Sequence, residues 1–324
     1  MCTAITYFGQ DHYFGRNLDY GFSFEEKIVI ASRTFPFSFR HTKPIPSHYA
    51  MIGMGIVSNN FPLYFDATNE KGLSMAGLLF PHFSYYHPPI NDKENIASFE
   101  LIPYVLSQCE SVADAKKLLK NANVTDEHFS DEFPPSPLHW IIADKEACIT
   151  LESVKEGLFI YDNPAGILTN SPPFPVQMLN LSNYMAISPY PPENTFSSKL
   201  KLLPYSNGMG AMGLPGDLSS SSRFVRASFT KLNSCPEEDE QKCVNQFFHI
   251  LGSVYQTRGC VSSKDGELES TQYTSCVNTD KVIYYYTTYY NSSLNAVCLF
   301  DKNLDEPMLY TTELIKKWHL NYQS

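Results

Sequence analysis

The sequence has no C-x-x-C pair, no apolar run approaching ~18 residues and no excess of basic charge. Each absence excludes a class. The eight cysteines, Cys2, Cys109, Cys148, Cys235, Cys243, Cys260, Cys276 and Cys298, lack the pairing of a zinc ribbon or a thioredoxin-type motif. Most are expected to be free thiols acting as small buried hydrophobes. Without a long apolar run no membrane span is expected. With 24 Lys+Arg against 34 Asp+Glu, a formal charge of −10, nucleic acid is not an expected partner. No basic stretch leads into an apolar one at the N-terminus, so a signal peptide is not expected and a cytoplasmic location is. The sequons at Asn123 and Asn291 then carry no meaning. His82, His87, His128 and His139 lack ligand spacing, so no metal and no other cofactor is expected. "GMGAMGLPGD" is glycine-rich but has no P-loop lysine, which argues against a nucleotide site. With no repeat and no linker-like break, residues 1–324 are expected to form a single domain.

What is present is a globular composition, 43% hydrophobic and 18% charged, in a chain long enough to bury a large core. "CTAITYF" and "HYFGRNLDY" are strand-like runs separated by the turn-like Gly9–Asp11, a hairpin signature. "KIVIASR" and "YAMIGMGIV" continue the β pattern. "SFELIPYVLSQC" changes to helical spacing, with Pro103 expected to kink the helix or confine it to one side. "SVADAKKLLKNANV" predicts a helix capped by Ser111, with Asp114 at the capping-box position. "HWIIAD", "ACITLES" and "GLFIYDNP" read as strands, and 170–218 as an irregular excursion around one short helix. Two helical runs and three strands complete the chain. Strands and helices in blocks with hairpin-length turns predict an α+β fold of antiparallel sheets layered with helices.

Cys2 directly follows the initiator methionine, which is normally trimmed before a small residue. A cysteine at the true N-terminus carries a thiol, ordinarily of pKa ~8.5, beside an α-amine of pKa ~7.7–8.0. The amine can take the thiol's proton, so the nucleophile needs no histidine and suits acyl transfer from an amide through a thioester. If the hairpin forms, Arg16 and Asp19 of "FGRNLD" project beside Cys2. A cation there favours thiolate and a carboxylate holds the amine. The same residues also fit a solvated ion pair worth ~0–1 kcal/mol, and the residue pattern by itself leaves both readings open.

"MCTAITY", "YFGRNLDY", "NEKGLSMAGLLFP", "LHWIIADK", "GILTNSP", "GLPGDLSSSSRFVRASF", "FFHIL" and "TQYTSCVN…YYYTTY" together resemble the choloylglycine hydrolase family from end to end. Within it the chain is more similar to the bile salt hydrolases than to the penicillin V acylases. The resemblance implies an N-terminal nucleophile hydrolase, an αββα sandwich of two stacked antiparallel sheets between helical layers, assembled as a homotetramer. It implies Cys2 as nucleophile, Arg16 and Asp19 beside it, Asn170 of "LTNSP" as an oxyanion donor and Arg223 of "SSRF" as a second active-site arginine. Conjugated bile salts are the implied substrate.

One position departs from the pattern. Leu79 of "AGLLF" stands where bile salt hydrolases typically carry asparagine and penicillin V acylases tyrosine. The backbone N–H that the family uses for its oxyanion hole is kept, and the side-chain amide is lost. The aromatic loops "YGFSF", "FPLYF", "FPHFSYYHPP" and "HFSDEFPPSPL" suggest an apolar binding rim. The resemblance places Leu18, Phe22, Phe65, Phe129 and Phe133 near that slot, with Leu79 beside them. Two alternatives stay in play: a penicillin V or broader N-acyl amide hydrolase, and a bile-salt or lipid binder without turnover.

Overall fold

The computed structural model describes residues 1–43, 45–320 and 322–323. Strands β1 (Cys2–Phe8) and β2 (His12–Tyr20) form the expected hairpin, in register from Cys2↔Leu18 to Phe8↔His12. They are followed by β3 (Lys27–Ala31), β4 (Met51–Ser58), β5 (Phe61–Asn69), β6 (Ser74–Leu79) and β7 (Glu94–Ala97). Helix α1 (Leu101–Gln108) starts late enough to leave Pro103 in its first turn, where the missing N–H has no intrahelical acceptor. Helix α2 (Val112–Leu119) is capped by Ser111, whose Oγ accepts from the Asp114 N–H (3.2 Å). It ends five residues before the helical spacing does. Ala122–Thr125 leave as strand β8, parallel to β7, because Ala122 and Val124 are buried there in register with Glu94 and Ile96.

The remaining elements are β9 (Leu138–Ala143), β10 (Cys148–Val154), β11 (Gly157–Asp162), β12 (Ile167–Leu168), α3 (Phe174–Leu181), α4 (Ser220–Asn233) and α5 (Glu240–Gly252). Then come β13 (Val261–Ser262), β14 (Leu268–Asn278), β15 (Ile283–Thr288), β16 (Asn291–Cys298) and β17 (Leu309–Glu313). One antiparallel sheet runs β12-β1-β2-β14-β15-β16, with β13 attached to β14. The second runs β11-β10-β9-β6-β5-β4-β3-β17. The sheets face each other where β1 and β2 meet β6. Helices α4 and α5 cover β1, β2 and β14, while α1 packs on β5 and β6. The architecture is the αββα sandwich of an N-terminal nucleophile hydrolase.

The layering places the N-terminus in the interior. β1 lies between β12 and β2, so Cys2 is ladder-bound on a strand with neighbours on both edges and is buried. At Gly15, one residue before Arg16, a Cβ would stand 2.0 Å from the Ser275 carbonyl oxygen of β14. Only glycine allows β2 and β14 to close at that point.

Candidate active site

Strand alternation divides the residues around Cys2 between two faces. Directly opposed residues point the same way, so Cys2, its partner Leu18 and Arg16, opposite Ala4, share one face. Thr3 and Asp19 lie on the other. Arg16 and Asp19 therefore flank the first residue of β1 from opposite sides, as residues three apart on a strand do, and the register puts Arg16 on the face of Cys2.

On the inter-sheet face Arg16 is buried, and its Nη1 donates to the carbonyls of Gly77 (2.6 Å) and Phe65 (3.0 Å) in the second sheet. Its Nη2 is buried without a partner. Burial opposes the guanidinium charge, but the fields of Cys2, Tyr273, Asp66 and Tyr284 together hold its pKa above the ordinary value. Asp66 in turn accepts from the hydroxyls of Tyr273 and Tyr284, both at 2.7 Å.

On the helix-covered face Arg223, from the first turns of α4, donates through Nη1 to the Cys2 carbonyl and to Thr3 Oγ1 (2.6 Å). Its Nη2 donates to Asn170 Oδ1 (2.7 Å) and its Nε to the Leu218 carbonyl (3.0 Å). Asp19 accepts from Thr271 Oγ1 (2.6 Å), and its second oxygen, 3.9 Å from Arg223 Nη1, has no hydrogen bond. Burial pushes the Asp19 carboxyl up from its ordinary value, against the pull of Arg223 and the terminal amine. Burial likewise lowers the Arg223 pKa, against the pull of Asp19 and Cys2.

Asn170 joins the two sheets at this point. Its Oδ1 accepts from the Cys2 N–H (2.8 Å) as well as from Arg223, which turns its amide nitrogen to the Leu79 carbonyl (2.7 Å). An amide nitrogen has two hydrogens, so one N–H stays available beside Cys2. Leu79 ends β6 opposite Leu138, next to a rung in which the Phe80 N–H donates to the Pro137 carbonyl. Its own N–H and C=O therefore face away from β9, toward Asn170.

Met1 adds one more rung to the hairpin. Its amine donates to the Asp19 carbonyl (2.5 Å) and to Glu269 Oε2 (3.0 Å), and its carbonyl accepts from the Asp19 N–H (2.8 Å).

A cavity of about 170 Å³ opens beside this cluster. Phe65, Phe129 and Phe133 line it, together with Phe24 and Leu138 from the same quoted rim loops and Phe99, which sequence reasoning had not named. The cavity adjoins the cluster: Arg16 bonds the Phe65 carbonyl, and Leu138 is the pairing partner of Leu79. Leu18 is buried in the core, and Phe22 is 48% exposed, packed on Tyr20 and Phe24 rather than lining the cavity. Leu79 is half-buried and reaches the site through its backbone. A larger cavity of about 570 Å³, lined by Arg33, His48, Glu70 and Lys71, is polar and contains none of the residues around Cys2. Among the described residues no group of three or more metal-ligating side chains occurs, and no helix is long and apolar enough to cross a membrane.

Residues 2–312 match the family model for linear amide C–N hydrolases of the choloylglycine hydrolase family. The chain is 52% identical to a bile salt hydrolase/transferase of Lactiplantibacillus plantarum over 97% of this chain and 96% of that one. It is 37% identical to a conjugated bile acid hydrolase of Lactobacillus gasseri, over 96% of this chain and 100% of that one. Among solved structures, a variant of the conjugated bile acid hydrolase of Clostridium perfringens superposes with a TM-score of 0.93 at 35% identity, each chain fully covered. The penicillin V acylase of Agrobacterium tumefaciens shares the fold, with a TM-score of 0.77 at 18% identity over 96% of this chain and 91% of that one.

Proposed function

We propose, on the premise that the chain belongs to the choloylglycine hydrolase family of linear amide C–N hydrolases, that it cleaves the amide joining a bile acid to glycine or taurine through a thioester on Cys2. The observation that carries the reading is the convergence of Asn170 and Arg223 on the backbone of Cys2, with Arg16 on the thiol's face of the strand.

Removal of Met1 turns the Cys2 amide nitrogen into an α-amine, and the Asn170 oxygen that accepts from this nitrogen then faces an amine. The neutral amine takes the thiol proton, and the thiolate attacks the amide carbonyl. The free N–H of Asn170 and the N–H of Leu79 receive the developing oxyanion. The intermediate collapses as the ammonium protonates the leaving nitrogen, releasing glycine or taurine and leaving the acyl group on Sγ. Water, giving its proton to the amine, attacks the thioester and frees the bile acid. Arg16 favours thiolate by its field, Arg223 fixes the backbone of Cys2 and Asp19 orients the amine. Phe65, Phe129 and Phe133 receive the steroid, with Leu18, Phe22 and Leu79 at its edges. The working unit is a single domain of residues 2–324.

Leu79 favours a second reading, a penicillin V or broader N-acyl amide hydrolase, since it lacks the asparagine typical of the bile salt branch. The test is amine release from glycocholate, taurocholate and penicillin V, with Cys2→Ala as control. Cys2-dependent release of glycine or taurine is expected; release from penicillin V alone favours the second reading, and Leu79→Asn should then restore activity on the conjugates. Binding without release, once intact mass shows Met1 gone, would overturn both in favour of a non-catalytic binder.

A further inference from the structure

His139 has no part in the steps above, yet it touches the neighbours of both proposed oxyanion donors. It is fully buried in β9, with Nε2 3.0 Å from the Thr169 carbonyl and Nδ1 3.1 Å from Glu152 Oε1. A carbonyl only accepts, so Nε2 donates to Thr169, and Nδ1 pairs with the Glu152 carboxyl. Its plane lies parallel to Phe80, centroids 4.3 Å apart and 5° between planes. Thr169 precedes Asn170, and Phe80 follows Leu79. The same Glu152 oxygen accepts from the Phe174 N–H (2.9 Å) at the start of α3, so the pair clamps both ends of the 169–174 segment that carries Asn170. Asn170's remaining backbone partners are neutral: its N–H donates to Ser220 Oγ (2.8 Å) and its carbonyl accepts from Gln177 Nε2 (3.3 Å).

We infer that His139 is a positioning residue for the oxyanion site, holding Asn170 through the Thr169 carbonyl and Leu79 through Phe80, with Glu152 orienting its ring. A buried polar pair is weak evidence of stability, because an apolar side chain of similar volume often serves as well. The geometry gives this pair a specific task instead. A small displacement of a preorganised donor costs rate where charge develops and little where substrate merely binds. The inference rests on the reading of Asn170 as an oxyanion donor.

The experiment compares His139→Phe, which keeps the stack but loses both ring hydrogen bonds, His139→Gln, which keeps one hydrogen-bonding end, and Asn170→Ala. Each is assayed for kcat and KM on the amide the wild type turns over, and for the alkylation rate of Cys2 by iodoacetamide. Alkylation is a direct displacement with no tetrahedral oxyanion, so it reports the nucleophile alone. His139→Phe is expected to lower kcat at least about tenfold with KM within about threefold and alkylation within about twofold, His139→Gln falling between it and the wild type. Wild-type kcat in both His139 variants beside a slow Asn170→Ala overturns the inference and leaves the reading of Asn170 standing. Wild-type kcat in Asn170→Ala removes that reading and the inference with it. A parallel fall in hydrolysis and alkylation reveals a general structural role and also overturns it. If His139→Phe does not fold, His139→Gln decides: wild-type kcat overturns the inference, and a loss confined to kcat supports it.

Discussion

Arg16 makes two hydrogen bonds through Nη1 and leaves Nη2 buried without a partner, on the face of β2 that also carries Leu18 opposite Cys2. A positive charge confined there stabilises a thiolate more than a thiol. Replacing it by neutral Arg16→Gln should slow alkylation of Cys2 at pH 7 by about tenfold or more. Reactivity at strongly alkaline pH, where every thiol is ionised, should stay within about twofold. Equal rates for the two proteins at pH 7 would remove the field effect from the mechanism. At this scale the sequence was informative about identity and poor about direction. Cys2, Arg16, Asp19, Asn170 and Arg223 are all legible in quoted motifs, and the structure brings the other four to Cys2, the first residue of β1. Which of Arg16 and Asp19 shares the face of the Cys2 side chain follows only once the register Cys2↔Leu18 is known, since a shift of one residue exchanges the faces. His139 carried no signal, because a buried histidine bonded to a carbonyl looks in sequence like any other.

The β1–β2 hairpin is the element on which the site depends, and its closed end is tied down by His12. Both ring nitrogens of His12 are engaged, one with Thr6 Oγ1 and the other with Thr279 Oγ1 (2.8 Å). Burial lowers its pKa to about 4 from the ordinary 6.5. The folded value lies below the unfolded one, so the stability it contributes is complete above pH ~6.5 and is lost as pH falls through ~4. That loss amounts to up to about 3 kcal/mol. Urea unfolding between pH 3.5 and 8 should show it, and His12→Gln should lose stability at pH 8 while flattening the acid decline. An unchanged slope in the variant would assign the acid sensitivity elsewhere. Helix α2 offers a simpler check: Ser111→Ala removes the acceptor for the Asp114 N–H and should cost about 1 kcal/mol in the same measurement. Hairpin and cap were legible because alternation and capping are local. The end of α2 was not, because β7 converts Ala122–Thr125 to strand by a pairing that helical spacing cannot register.

Across the whole molecule, antiparallel sheets layered with helices were readable from the blocks of strands and helices and the αββα order from the resemblance, whereas the cavity was only partly legible. Its walls come from β4, β5, β9, α1 and the 129–138 loop, and a wall assembled from distant segments leaves no local pattern. Phe65, Phe129 and Phe133 were placed near it by resemblance and Phe24 by its aromatic loop, while Phe99 needed the fold. The irregular excursion after Asn170 raises a different question, since it exposes large apolar side chains in one stretch: Leu179 at 72%, Met185 at 82%, Phe196 at 80%, Leu203 at 73% and Tyr205 at 82%. Single exposed apolar residues are ordinary, but several within one segment suit an interaction surface. The homotetramer implied by the resemblance would give that surface a partner and would brace the segment between Asn170 and Arg223 in each copy. Light scattering should then return four times the subunit mass. The double variant Phe196→Glu/Tyr205→Glu, which places charges on the same stretch, should shift the mass toward the monomer without changing alkylation of Cys2. A monomeric wild type would leave the exposed stretch without this partner and make each chain an independent catalyst.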